Sequence, residues 1–181
     1  MLFTALDLSG AFIVDLERRE DERGFFARTF CRDEFLARGL AAEFVQCNTS
    51  FNARSGTLRG LHFQRAPHEE IKLVRCTTGI VLDVIVDLRP ESPTFCQSEA
   101  IELSAENRRA LYIPGGFAHG FQTLADNSEI LYQMAEPYYP AAAAGVRWDD
   151  PAFRIAWPIR PPILSVKDAA YADFLRIKPE V

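Results

Sequence analysis

Cysteine and histidine are scarce in this chain, and their scarcity narrows the chemistry open to it. The four cysteines, Cys31, Cys47, Cys76 and Cys96, form no Cys-x-x-Cys pair, and none stands at zinc-finger spacing from a histidine. Reduced, partly buried thiols of a cytosolic protein are expected. No apolar run approaches the roughly 18 residues that cross a bilayer, so no membrane partner is expected. The start, Met1–Asp7, lacks a basic segment followed by a long apolar one, so no secretory leader is expected and the expected location is cytoplasmic. Positive charge is also short, with 20 Lys and Arg against 25 Asp and Glu and a formal net charge of −5. That balance argues against nonspecific binding to nucleic acid or anionic membrane. It leaves room for an anionic small ligand, because a few clustered cations can bind phosphate inside an acidic protein. Internal repeats, linkers and low-complexity segments are missing too. What remains is a 181-residue chain, 48% apolar and 25% charged, expected to form one domain (1–181) with a substantial core.

Short apolar runs recur along most of its length. Residues 11–16 read as a first strand, and a charged turn at 17–23 leads to a second apolar run, Gly24–Phe30. Asp33–Gly39 is a short helix candidate with Asp33 as N-cap and Gly39 as its stop. In Phe44–Ser50 the polar residues Gln46, Asn48 and Ser50 alternate and share one face, which either meets solvent or lines a pocket. In 80–88 the residues Ile80, Leu82, Val84, Val86 and Leu88 make an unbroken apolar face, with Asp83 and Asp87 on the other. Further strands are expected at 98–103, 110–113, 120–124 and 130–135. From about residue 137 prolines interrupt the chain, and Trp148 and Trp157 can anchor it to a core. Ser165 can cap a terminal helix. Many strands at roughly 8–12-residue spacing with few helices predict an all-β sandwich or barrel.

The chemistry gathers around residues 56–79. Arg59 and His62 lie an odd number of residues apart, which in a regular strand puts them on opposite faces. A bulge or twist beside Gly60 would bring them together. A second stretch, Tyr112–Phe121, carries His119 to the end of another apolar run, while His68, in a polar turn, is expected to be exposed and inert. The spacings Gly56…His62 and Pro114-x-Gly116-x-x-His119 are similar to the two signatures of the cupin superfamily, whose fold is a double-stranded β-helix, or jelly roll. Metal-binding cupins have His-x-His in the first signature. Gln64 stands at the second of those positions, and it is a poor metal ligand.

A longer series of motifs occurs in order: Asp21-x-Arg23-Gly24-Phe25-Phe26, Gln46-x-Asn48-x-Ser50, Arg59-Gly60-Leu61-His62-Phe63-Gln64, Lys72-Leu73-Val74-Arg75, Asp83-Val84-x-Val86-Asp87-Leu88-Arg89, Ser92-Pro93-Thr94-Phe95, Ile113-Pro114-x-Gly116-Phe117-Ala118-His119-Gly120-Phe121 and Leu164-Ser165-x-Lys167-Asp168. This series resembles the dTDP-4-dehydrorhamnose 3,5-epimerase family over about residues 20–168. The resemblance implies a cupin jelly roll with short peripheral helices, without metal or cofactor. It also implies a homodimer whose subunits exchange pocket residues, acting on a nucleotide-linked 4-keto-6-deoxy sugar. It implies His62 as base, Asp168 as the carboxylate that orients it, Tyr132 as acid on the opposite face, and Lys72 as enolate stabiliser with help from His119. Arg59, Gln46, Asn48 and Tyr138 match substrate contacts, and Arg23 and Phe26 match residues that reach the nucleotide from the neighbouring subunit.

Three positions depart from the family's pattern: Arg28 where Glu is frequent, Glu70 where Gln is frequent, and Ala144 where an acidic residue is common. They bear on substrate choice rather than on the acid, the base or the lysine. Two other readings of the chain are a metal-dependent cupin and a non-catalytic sugar-nucleotide-binding module. GDP or CDP in place of dTDP, and inversion at one carbon instead of two, stay open at this stage.

Overall fold

The structure is a computed structural model that describes residues 1–174. Strands β1 (Leu2–Ala5) and β2 (Phe12–Asp15) are followed by a hairpin, β3 (Arg19–Asp21) and β4 (Gly24–Phe26), and by helix α1 (Arg32–Leu36). Eight longer elements come next: β5 (Gln46–Asn52), β6 (Leu58–Gln64), β7 (Lys72–Thr78), β8 (Ile80–Asp87), β9 (Ser98–Ser104), β10 (Ala110–Ile113), β11 (Phe117–Thr123) and β12 (Ser128–Met134). A short strand, β13 (Ala143–Gly145), and a one-turn helix, α2 (Val166–Ala169), complete the described elements. Strands β5 to β12 divide between two antiparallel sheets in the orders β5-β12-β7-β10 and β6-β11-β8-β9, which is the expected jelly roll. β2 and β1 extend the first sheet beyond β10, and β13 extends the second beyond β6.

Both sheets pack on both faces over their central strands. Val74, Ile85, Leu111, Phe121 and Ile130 fill the space between them. Phe35 of α1 packs with Val14, Leu73 and Tyr112 on the outside of the six-stranded sheet. Trp157, Phe153 and Val146 pack on Leu58, Val84 and Val86 on the outside of the five-stranded sheet. Trp157 therefore anchors the proline-interrupted segment as its sequence suggests, and its Nε1 donates to the Trp148 carbonyl at 2.8 Å. The apolar face of β8 meets this segment. The face with Asp83 and Asp87 looks between the sheets, and both carboxylates are fully buried.

Several sequence expectations shift. Residues 11–16 are the second strand, because the mostly exposed edge strand β1 has no alternation to reveal it. The run 24–30 is a strand only over Gly24–Phe26. Helix α1 begins earlier than expected, with Cys31 at the cap position and no side-chain cap bond; Asp33 lies in its first turn. All four thiols are free, but Cys47 is exposed rather than partly buried. Among the described residues no helix is long and apolar enough to cross a membrane.

Candidate active site

A cavity of about 590 Å³ opens between the sheets near β5, β6 and α2. Its first wall is set by a bulge. His62 pairs with His119, and Arg59 pairs with Phe121, so Gly60 and Leu61 together oppose the single residue Gly120. The extra residue turns Arg59 and His62 to the same side, so of the two devices that the odd spacing allowed, a bulge or a twist, the chain uses a bulge. Gly60 is needed there: its φ is +135°, and a Cβ would sit 2.6 Å from the Gly120 Cα.

The tail of the chain delivers the partner of His62. Ile163 bridges Thr57 in parallel, its N–H donating to Gly56 and its carbonyl accepting from Leu58, which ties the segment to the start of β6. Ser165 then caps α2, accepting from the Asp168 N–H at 3.0 Å. Asp168, 4% exposed, meets His62 with its Oδ1 2.6 Å from the imidazole Nε2. A carboxylate can only accept here, so Nε2 carries a proton, and in the neutral ring Nδ1 then keeps its lone pair. Burial is the largest influence on His62 and lowers its pKa; the Asp168 hydrogen bond and charge oppose it, and Lys72 and His119 reinforce the lowering. The imidazole is therefore neutral at neutral pH.

The opposite wall comes from the six-stranded sheet. Gln46, Asn48 and Ser50 line the cavity from β5, Lys72 from β7 and Tyr132 from β12. The alternating polar face of β5 is thus a pocket face. Burial, with the charge of Asp83, pushes the Tyr132 phenol above its usual range, against a Ser50 hydrogen bond and Arg59. The phenol stays protonated. His119 is buried between the two walls, its Nε2 2.9 Å from both oxygens of Asp83 and its ring 6.1 Å from that of Tyr132. Lys72, also buried, holds Glu70 at 2.8 Å. Arg59 donates from Nε to Asn52 Oδ1 at 2.7 Å. Tyr138 stands half-exposed at the rim, its N–H bonded to Gln46 Oε1 at 3.3 Å. A neutral imidazole on one wall and a protonated phenol on the other can take a proton from one face of a bound molecule and return one to the other.

Gln64 lines the cavity with its amide engaged by backbone: it donates to the His68 and Pro137 carbonyls and accepts from the Tyr139 N–H at 2.6 Å. Among the described residues, no three His, Cys, Asp or Glu side chains gather as a metal site would require. Arg23 and Phe26 are not in the cavity. They sit on the β3–β4 hairpin, where Arg23 pairs with Asp21 at 2.6 Å and Phe26 is 72% exposed. His68 is not simply exposed: its ring stacks on Tyr139 with centroids 3.7 Å apart, and its Nδ1 lies 2.9 Å from Glu136.

Residues 5–175 match the sequence model of a family described as dTDP-4-dehydrorhamnose 3,5-epimerase. The chain belongs to the dTDP-4-dehydrorhamnose 3,5-epimerase family. It is 49% identical over 152 residues to the dTDP-4-dehydrorhamnose 3,5-epimerase of Salmonella typhimurium, covering 83% of this chain and 82% of that one. The Bacillus anthracis epimerase, crystallised with TDP and PPi bound, superposes with a TM-score of 0.91 at 40% identity, over 95% of this chain and 98% of that one. The Legionella pneumophila epimerase, crystallised with dTDP-4-keto-L-rhamnose, superposes with a TM-score of 0.89 at 37% identity, over 98% and 94% of the two chains.

Against this epimerase family, the departures now have locations. Arg28 pairs with Glu34 at 3.0 Å, away from the main cavity. Glu70 lines the cavity itself and pairs with Lys72 at 2.8 Å, so this departure does touch the lysine, contrary to the expectation from sequence; Ala143 and Ala144 form a small-residue wall on β13. Sequence reasoning missed Asp83, Glu70 as a lysine partner, and Tyr171, which also lines the cavity. Only Asp83 carried a usable signal, because a carboxylate inside so apolar a strand requires a partner.

Proposed function

We propose that this chain inverts C3 and C5 of dTDP-4-dehydro-6-deoxy-D-glucose to give dTDP-4-dehydro-L-rhamnose. The observation that carries the reading is His62 on one sheet, paired with Asp168 of α2, facing Tyr132 on the other sheet across a single cavity. The C4 ketone acidifies the hydrogens on both neighbouring carbons, and inversion requires a proton to leave one face and another to arrive on the opposite face. His62 takes the proton at Nδ1, and Asp168 stabilises the imidazolium that forms. Lys72 and His119 stabilise the enolate charge that develops on the ketone oxygen. Tyr132 returns a proton from the other face, a role suited to a phenol held in its neutral form.

In the same reading Arg59, Gln46, Asn48 and Tyr138 hold the nucleotide sugar. Arg23 and Phe26 serve the cavity of a second copy, so the active form is a homodimer; the exposure of the β3–β4 hairpin supports that role. The whole chain acts as one domain. Its setting is the cytoplasm, which suits four free thiols.

The test is NMR of dTDP-4-keto-6-deoxyglucose turned over in deuterated water. Deuterium is expected at both C3 and C5. His62→Ala should abolish exchange while changing nucleotide affinity by less than about tenfold, or about 1.4 kcal/mol. Full exchange in that variant rejects the mechanism. Label at one carbon makes the enzyme a single-carbon epimerase, and exchange only with GDP- or CDP-linked sugars reassigns the carrier.

A further inference from the structure

His62 has cross-strand neighbours on both sides: His119 on β11 and Gly145 on β13. A side chain at position 145 would ordinarily stand beside the imidazole. Gly145 has none, and the ring of Tyr171 lies in the vacant space. A Cβ on Gly145 would come within 2.3 Å of the Tyr171 Cζ and 2.4 Å of its Cε2. From that slot the Tyr171 ring meets the His62 ring edge-on, with centroids 6.0 Å apart, and forms part of the cavity wall.

We propose that Tyr171 is a positioning residue for the base: seated in the slot that Gly145 leaves, it covers one edge of an imidazole whose side chain is otherwise 42% exposed, and holds that ring between itself and His119. The proposal rests on the reading of His62 as the proton acceptor. It explains why a residue outside the acid–base set lies against the ring whose orientation the reaction depends on.

The groups that face His62 are Asp168 from α2, Lys72 from β7 and His119 from β11, besides Tyr171. Their signs make the proposal separable from a merely structural role. If Tyr171 covers that edge, removing it weakens the burial that lowers the His62 pKa, and titration moves up towards the ordinary imidazole value. If Tyr171 only braces α2, removing it loosens Asp168, which raises the pKa, and titration moves down.

The experiment is an NMR titration of the His62 ring protons in the free protein, assigned with His62→Asn. Tyr171→Phe should titrate like the parent. Tyr171→Ala should titrate at higher pH, and Gly145→Ala, which drives the ring from its slot, should do the same. Tyr171→Ala should also lower kcat about tenfold with less change in KM. An unmoved or lowered titration in Tyr171→Ala overturns the proposal, even if Gly145→Ala fails to fold. Titration needs no turnover, so the outcomes are distinct. Normal deuterium exchange with an unmoved His62 rejects the role of Tyr171 alone, whereas no exchange in the parent protein rejects the epimerase reading.

Discussion

Asp83 and Asp87 stand on the same face of β8, both fully buried, and they differ in where their partners come from. Asp87 accepts from Arg89 Nε at 2.9 Å, Ser92 Oγ at 2.5 Å and Thr94 Oγ1 at 2.7 Å, all from the turn that follows the strand. Every strong donor is local, and the network is closed. Among the described residues Asp83 has one side-chain partner, His119, 36 residues away on β11, and that imidazole lines the cavity. A closed local network fixes a turn, whereas a long-range pair at a cavity wall leaves a group able to act on a ligand. The same contrast separates the Asp87 end of the barrel from the His62–Asp168 pair, whose residues lie 106 apart.

The comparison can be broken most severely at Asp87. Asp87→Ala leaves the Arg89 charge and two hydroxyls without their acceptor and should cost about 3 kcal/mol of stability, read from the denaturant midpoint. The folded fraction should keep its kcat, since nothing at the cavity changes.

Acid sharpens the same point. Burial opposes the Asp87 charge, but the donors from Arg89, Ser92 and Thr94 outweigh it and hold the carboxyl at about 2, below the model-compound value of 3.8. The group therefore contributes stability that is full above pH 3.8 and lost as pH falls towards 2. The contribution is about 2 kcal/mol. Acid unfolding curves should lose this component in Asp87→Asn and retain it in Asp83→Asn.

The smallest effect on stability and the clearest on function belong to Asp83→Asn. It should shift the denaturant midpoint by under about 1 kcal/mol and lower kcat about tenfold, through the freed His119. Burial is the larger cause of the raised Tyr132 pKa and the Asp83 charge adds to it, so removing that charge should also bring the alkaline limb of kcat to lower pH. A kcat and an alkaline limb both unchanged would place Asp83 with Asp87 as a purely structural carboxylate.

Much of the site was legible before any tertiary structure. The β5 alternation marked a polar face, the Arg59–His62 spacing pointed to a bulge or twist if the two were to meet, and Ser165 marked the start of α2. What stayed hidden shares one cause. Asp83, Glu70 and Tyr171 take their meaning from neighbours on other strands, and periodicity reports only which residues share a face. Strand β1 and the early start of α1 were missed because weakly patterned, exposed segments leave little periodic signal.

The sequence by itself determined the jelly roll, and it named the side chains proposed here as acid and base. Alternation, turns and long ordered motifs are local properties, written residue by residue along the chain. Only the tertiary structure decided that Asp83 meets His119 and Glu70 meets Lys72, which face of β8 lies between the sheets, and that Tyr171 fills the slot beside His62. Those outcomes depend on distances between segments far apart in the chain, and such distances exist only once the two sheets have packed.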